Sequence, residues 1–174
     1  MSIANDPIVE DFITESKNIL VDLNEALEHA EGGGKYSSHL ETYGQMVDRI
    51  LGGAKTLAMT MEGGHPTIEK IGDYAGICKA VGYKASQIKN NEGFYSVCVA
   101  LLMDATEILE EMLNMLESDQ PINAKDVISK TLIERLKWVS SKFSAEYRES
   151  VAVKRQPKMN QDEIDSLLAK LGLS

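Results

Sequence analysis

Two polar residues in the segment ETYGQ, Glu41 and Gln45, have types and spacing that could do chemistry. Residues four positions apart lie on one face of a helix. A glutamine amide on such a face can orient a water molecule for in-line attack on a phosphoryl group, as glutamine does in some GTPases. Both residues also have ordinary interpretations, since Glu41 can complete a helix-capping box that starts at Ser38 and Gln45 can be a solvated surface residue.

Other residues that carry chemistry lack the spacing that their chemistry requires. The histidines, at 29, 39 and 65, and the two cysteines, Cys78 and Cys98, form no pattern typical of a zinc site. No glycine-rich loop follows a strand as in a P-loop, and the glycine pairs are interpreted as helix breaks, with 52–53 alternatively marking a kink or a close helix crossing. Both cysteines fall within apolar helical patterns, so we expect reduced thiols in the core.

The elements that must position these residues are predicted to be helices, because apolar residues recur every three or four positions and no useful segment alternates with a period of two. Asp6 can cap the first helix, Pro7 fits its first turn, and its buried stripe is predicted to begin at Ile8. The five predicted helices span about 7–30, 38–62, 66–84, 91–116 and 123–148 or 125–148. Their short connections predict an all-α, antiparallel bundle of about five helices over residues 1–148.

The composition limits the classes of partner. The chain has 174 residues, 43% of them hydrophobic, and a formal net charge of −9. Such an acidic chain is unsuited to nucleic acid or to an anionic membrane surface, and it suits a partner with a basic docking face. Because residues 1–6 are polar and no apolar run has membrane-spanning length, we expect a cytoplasmic protein without membrane insertion.

A polar linker and a short amphipathic helix complete the predicted organisation. Residues 149–158 lack an apolar stripe and contain Pro157, which predicts a flexible linker or a frayed end of the fifth helix, followed by a tail helix within 159–174. Asn160 and Glu163 fit a second capping box. The apolar face of the tail consists of Ile164, Leu167, Leu168 and Leu171. Since so short a helix is marginal alone in water, this face is expected to lie in a groove, either of a partner or of its own bundle.

The tail sequence QDEIDSLLAKLG strongly resembles the C-terminal tail of the CheZ family of chemotaxis phosphatases, and it looks like the N-terminal peptide of the flagellar switch protein FliM. Both peptides bind the response regulator CheY as a helix, and the position after a linker at the C-terminus is similar to CheZ. The resemblance implies that Ile164, Leu167 and Leu168 enter a groove of a CheY-type regulator. It implies that Asp162, Glu163 and Asp165 face lysines of that regulator. The ending Leu173-Ser174 departs from CheZ tails, which often end in phenylalanine.

The segment around Gln45 also looks like the CheZ catalytic segment, Asp-x-x-Gly-Gln. The resemblance implies that Gln45 positions water and that Glu41 orients a lysine of the regulator, with Gly44 leaving room for the other protein to approach. No cofactor of its own is implied, because the regulator holds the magnesium ion. The chain departs from the family in having Glu at position 41 and three further helices after Gln45. A homodimer remains open, since the long helical hairpins of that family dimerise.

Two other comparisons leave alternatives open. Glu111 and Asn114 fit the Glu-x-x-Asn spacing of the CheC and CheX phosphatases, which are α/β proteins. The segment from Glu10 to Leu27 resembles the opening of histidine phosphotransfer domains, but no histidine stands in their His-x-x-Lys-Gly context. The sequence therefore predicts a CheZ-like phosphatase that acts on a CheY-type regulator. The alternative is a non-enzymatic CheY-binding adaptor on a helical bundle that lacks the phosphoaccepting histidine.

Overall fold

The computed structural model describes residues 2–31, 37–150 and 161–173, with backbone alone for residues 37, 144–150, 161 and 162. These residues form a short 3-10 helix, Ile3–Asn5, and seven α-helices, with no β-strand among the described residues. The α-helices are α1 (Pro7–Glu31), α2 (Ser37–Thr60), α3 (Pro66–Ser86), α4 (Glu92–Glu117), α5 (Ala124–Val127), α6 (Lys130–Ser150) and α7 (Gln161–Lys170). None of these helices is long and apolar enough to span a membrane.

Helices α1 to α4 form an antiparallel four-helix bundle in which each helix packs on the next and α4 packs again on α1. Two contacts show that α1 and α2 run antiparallel: Glu15 pairs with Arg49 at 2.9 Å, while Phe12, earlier in α1, lies beside Gly53, later in α2. Helix α6 packs along α4, where the Phe94 ring makes edge contacts with the rings of Trp138 and Phe143. The predicted all-α bundle with a helical tail is therefore confirmed, with one additional α-helix because the fifth predicted helix is divided.

The α2–α3 contact is close because two glycines face two tyrosines. A Cβ atom on Gly82 would lie 2.9 Å from Cδ1 of Tyr43, and a Cβ atom on Gly44 would lie 3.0 Å from Cε2 of Tyr83. Each tyrosine ring thus fills the space that a neighbouring glycine leaves open. The interpretation that Gly44 gives room to another protein was wrong, since Gly44 is buried and the Tyr83 ring occupies that space.

The substitution Gly82→Ala is expected to destabilise the bundle despite alanine's higher helix propensity. Tyr43 is fully buried and its hydroxyl is fixed 2.8 Å from Oγ1 of Thr106, so the ring has little room to move away from a new methyl group. Overpacking of this kind costs about 1–3 kcal/mol, against a propensity gain of roughly 1 kcal/mol. Urea unfolding followed by circular dichroism measures the effect.

Gly52→Ala provides the matched control, because Gly52 is an exposed position in α2 where an added Cβ would meet nothing within 4 Å. It is expected to raise the free energy of unfolding by about 0.5–1 kcal/mol. If both substitutions raised the free energy of unfolding equally, the Tyr43 ring would be able to move away from the new methyl group at no cost in stability.

Several predicted element details were wrong. Helix α2 is continuous through 52–53, so these glycines are not a helix break. The alternative prediction, a close helix crossing, is the one observed, since a Cβ atom on Gly53 would lie 3.3 Å from the Phe12 ring of α1. Ser38 lies inside α2 rather than at its N-cap, because the helix already includes Ser37. Ile8 is 63% exposed, and the buried face of α1 begins instead at Val9.

The fifth predicted helix is divided into α5 and α6. Ile128 between them is extended and fully buried. The hydroxyl oxygen of Ser129 accepts a hydrogen bond from the backbone N–H of Leu132 at 3.1 Å, so this serine caps a new helix. At the other end, α6 includes residues 149 and 150 of the predicted linker, and residues 151–158 lie outside the described part of the chain.

Candidate functional site on helix α2 and the tail helix

Glu41 and Gln45 lie on one face of α2, and both side chains are exposed. Since Ser38 is inside the helix, Glu41 is not the closing residue of a capping box that starts there. About one turn further along α2, Asp48 is paired with Lys79 of α3 at 2.8 Å, and Arg49 is paired with Glu15 of α1. The exposed pair is therefore presented next to positions where α2 is joined to both of its neighbours.

The backbone beneath this pair is held in the core. Tyr43 and Gly44, which lie between Glu41 and Gln45 in sequence, are both buried against α3. A helix fixed in this way presents an exposed side chain from a rigid backbone, and precise placement of a water-orienting group depends on such rigidity. The geometry can serve the chemistry that the resemblance implies, although the pair lies on an open surface with no recess at Gly44.

Glu111 and Asn114 form a separate exposed pair on α4. Their neighbours Met112 and Leu113 are fully buried, as the core stripe of the sequence predicted. Because α2 and α4 are diagonal members of the four-helix bundle, their exposed faces point to different sides of the molecule. The structure thus does not bring the two candidate amides together.

The tail helix α7 packs on the bundle, against α3 and α6. Its axis runs antiparallel to α3: Leu167 lies against Gly76, with its Cδ1 3.2 Å from the position of a Cβ atom there, and Lys170 interacts with Asp73. The buried tail side chains are Ile164, Leu167, Leu168, Leu171 and Leu173. The apolar face that the resemblance assigns to a regulator is therefore covered by the chain's own helices in this structure.

The structure describes the side chains of two of the three acidic residues that the resemblance assigns to partner binding. The side chains of Glu163 and Asp165 are exposed, on the side of α7 away from the bundle. The side chain of Asp162 lies outside the described part of the chain, as does all of Asn160, so the predicted cap of this helix is outside it too. Two carboxylates are thus available to a basic partner even while the apolar face is covered.

Asp73 lies at the Lys170 end of the α3–α7 contact. Partial burial is the main cause that raises the pKa of this carboxyl, and the nearby ammonium groups of Lys170 and Lys55 only partly offset it. Keeping the Asp73 carboxylate ionised in this partly buried position therefore costs free energy, which the two ammonium groups partly offset.

A buried polar cluster inside the bundle was not predicted from the sequence. The Thr106 hydroxyl donates to the carbonyl one turn earlier at 2.6 Å, so the Tyr43 hydroxyl donates to Thr106. The Tyr74 hydroxyl donates to the Ala105 carbonyl at 2.7 Å. Burial raises the pKa of the nearby Cys78 thiol to about 12. Both cysteines are buried and neither forms a disulfide, so the expectation of reduced thiols in the core is confirmed.

Two of the histidines lie together where α1 ends and α2 begins. His29 and His39 stack with ring centroids 5.4 Å apart at the start of α2, and His29 lies 3.7 Å from Glu25. In residues 2–31, 37–150 and 161–173, no group of three histidine, cysteine or acidic side chains is placed to hold a metal ion.

Comparison with protein-family models, with curated proteins and with solved structures gave no match to this chain. The functional assignment consequently rests on the tail, on the Glu41–Gln45 pair and on their geometry.

Proposed function

We propose that this chain binds a CheY-type response regulator through its tail helix and accelerates hydrolysis of the regulator's aspartyl phosphate, with Gln45 orienting the attacking water. The observation that carries the proposal is the tail: a helix over Gln161–Lys170 whose isoleucine and leucines all fall on one face, flanked by carboxylates. An amphipathic helix of this kind docks in apolar grooves through anchors at i, i+3, i+4 and i+7.

The catalytic part of the proposal requires only one group from this chain. The regulator supplies the phosphorylated aspartate and its magnesium ion, so the partner needs an amide that places water in line with the phosphorus–oxygen bond. Gln45 is exposed and rigidly mounted, and Glu41 one turn earlier can hold a lysine of the regulator. The net charge of −9 favours encounter with a basic docking face.

The binding step is tested with a labelled peptide of residues 159–174 titrated with the CheY-type regulator of the same organism, with and without acetyl phosphate. The substitution Leu168→Ala is expected to weaken binding by about tenfold to a hundredfold, because burying a leucine contributes roughly 1.5–3 kcal/mol. Ser166→Ala is the control, since Ser166 is exposed on the opposite side of α7. Absence of binding by the unaltered peptide, or equal binding by the Leu168→Ala peptide, would contradict the proposal.

The second candidate is a non-enzymatic adaptor that binds the regulator through the same tail. One observation favours it: the Tyr83 ring fills the space at Gly44, so the glycine next to Gln45 does not provide a recess for another protein. An adaptor would bind the regulator without changing the lifetime of its phosphate.

A further inference from the structure

We propose that the groove between α3 and α6 is a second binding site for the tail, and that it competes with the response regulator for the same apolar face. That the regulator is the competitor rests on the function proposed above. That the tail docks on the bundle rests on the structure alone. Leu167 and Leu168 are 9% and 1% exposed when α7 lies on the bundle. One helix face cannot lie in two grooves at once, so a docked tail is withheld from the regulator.

Gly76 makes this groove fit the tail. It is a buried glycine in the middle of α3, and the space where its side chain would be is taken by Leu167 of α7, with Leu51 of α2 on another side at 3.9 Å. Glycine lowers the stability of a helix interior. Here it permits the close approach of α7, and a larger residue at position 76 would occupy the place of Leu167.

The docked tail has features of a releasable element. A helix of ten residues has little stability of its own, so release from the groove also melts it readily. At the Lys170 end, Lys170 of the tail lies near the partly buried carboxylate of Asp73, and this attraction favours the docked state. By contrast, Glu163 and Asp165 remain exposed in the docked state, so a basic partner can contact them before the apolar face is released.

Docking of the tail on the bundle lowers the apparent affinity of the chain for the regulator in proportion to the fraction of molecules whose tail is free. If one tail in ten is free, the full-length chain binds the regulator about tenfold more weakly than the isolated peptide of residues 159–174 does. A substitution that weakens docking of the tail in the groove, without altering the tail itself, must therefore restore the affinity of the full-length chain for the regulator.

The test uses the full-length chain with Gly76→Leu, which fills the position of Leu167 and leaves the tail sequence intact. Hydrogen exchange of the amides at 163–171 is measured without any regulator, and affinity for the regulator is then measured by fluorescence. We expect at least tenfold faster exchange in the tail and at least fivefold tighter binding than for the unaltered chain. Gly52→Leu is the control, because Gly52 faces open space, and it should change neither quantity.

Asp73→Lys provides a second variant that does not enlarge a buried position. A third ammonium group beside Lys55 and Lys170 should repel the tail and give the same two changes in smaller degree. Unprotected tail amides in the unaltered chain would overturn the docked state. Faster exchange with unchanged regulator affinity in both variants would overturn the competition. If the isolated peptide fails to bind the regulator, the proposed function fails and the regulator is excluded as competitor, whereas slow exchange in the tail would still support the docked state.

Discussion

Gln45→Ala is expected to reduce the accelerated decay of the phosphorylated regulator by about a hundredfold, the size of effect that loss of a precisely placed group produces. Binding of the regulator should change by less than about twofold, because Gln45 lies on α2 whereas the tail supplies the binding anchors. The reason is chemical: alanine removes the amide that holds water in line with the phosphorus atom, while the helix beneath it remains fixed by the buried Tyr43 and Gly44.

The decay is measured by adding the chain to phosphorylated regulator and following phosphate release. Thr42→Ala is the matched control, since Thr42 is exposed on α2 next to the buried Tyr43 and carries no amide. Glu41→Ala is expected to give an intermediate loss, as its carboxylate acts on the regulator's lysine and not on water. If the Gln45→Ala variant still accelerates the decay, the catalytic residue lies elsewhere in the chain, and Asn114 is the next residue to replace. Binding without any acceleration by the unaltered chain would establish the adaptor.

Helix positions were largely predictable because caps and apolar periodicity are local signals. Asp6 accepts a hydrogen bond from the N–H of Ile8 at 2.9 Å, and Asn91 accepts one from Phe94 at 3.0 Å. The errors arose where packing decides. Periodicity cannot show that Ile128 leaves the helix to be buried in an extended conformation, or that α2 continues through Gly53 with the Phe12 ring beside it.

The candidate site was predictable in part for the same reason. The spacing of Ile164, Leu167 and Leu168 predicts an apolar face, but a groove of a partner and a groove of the same chain select the same spacing. The groove itself depends on Gly76, whose meaning appears only when α7 lies beside it. Likewise, Tyr43 and Thr106 meet across 63 positions of sequence, so no local pattern predicts their hydrogen bond.

The buried polar cluster predicts that the bundle loses stability in alkaline solution. Burial raises the pKa of Cys78 from its ordinary value of 9.0 to about 12, and it raises the pKa of Tyr43 and Tyr74 well above 10.0. In the unfolded chain these groups ionise at their ordinary values, so above about pH 9 the unfolded state binds fewer protons than the folded state. Stability is therefore complete below that pH and decreases as the pH rises towards the folded values. For Cys78 alone, three pKa units correspond to a loss of about 4 kcal/mol by about pH 12.

Urea unfolding at several pH values between about 7 and 11 measures this loss, with thiol labelling and tyrosinate absorbance as independent readouts of ionisation in the folded state. Cys78→Ala should lower stability at neutral pH because it leaves a small cavity, yet it should make the decrease above about pH 9 shallower, because one ionising group has been removed. Tyr74→Phe should likewise make the decrease shallower above about pH 10, and it should leave the labelling rate of Cys78 low at neutral pH. A free energy of unfolding that stays constant to about pH 11, or a Cys78 thiol labelled at the rate of an exposed cysteine, would show that water reaches this cluster and that the four helices do not close around it.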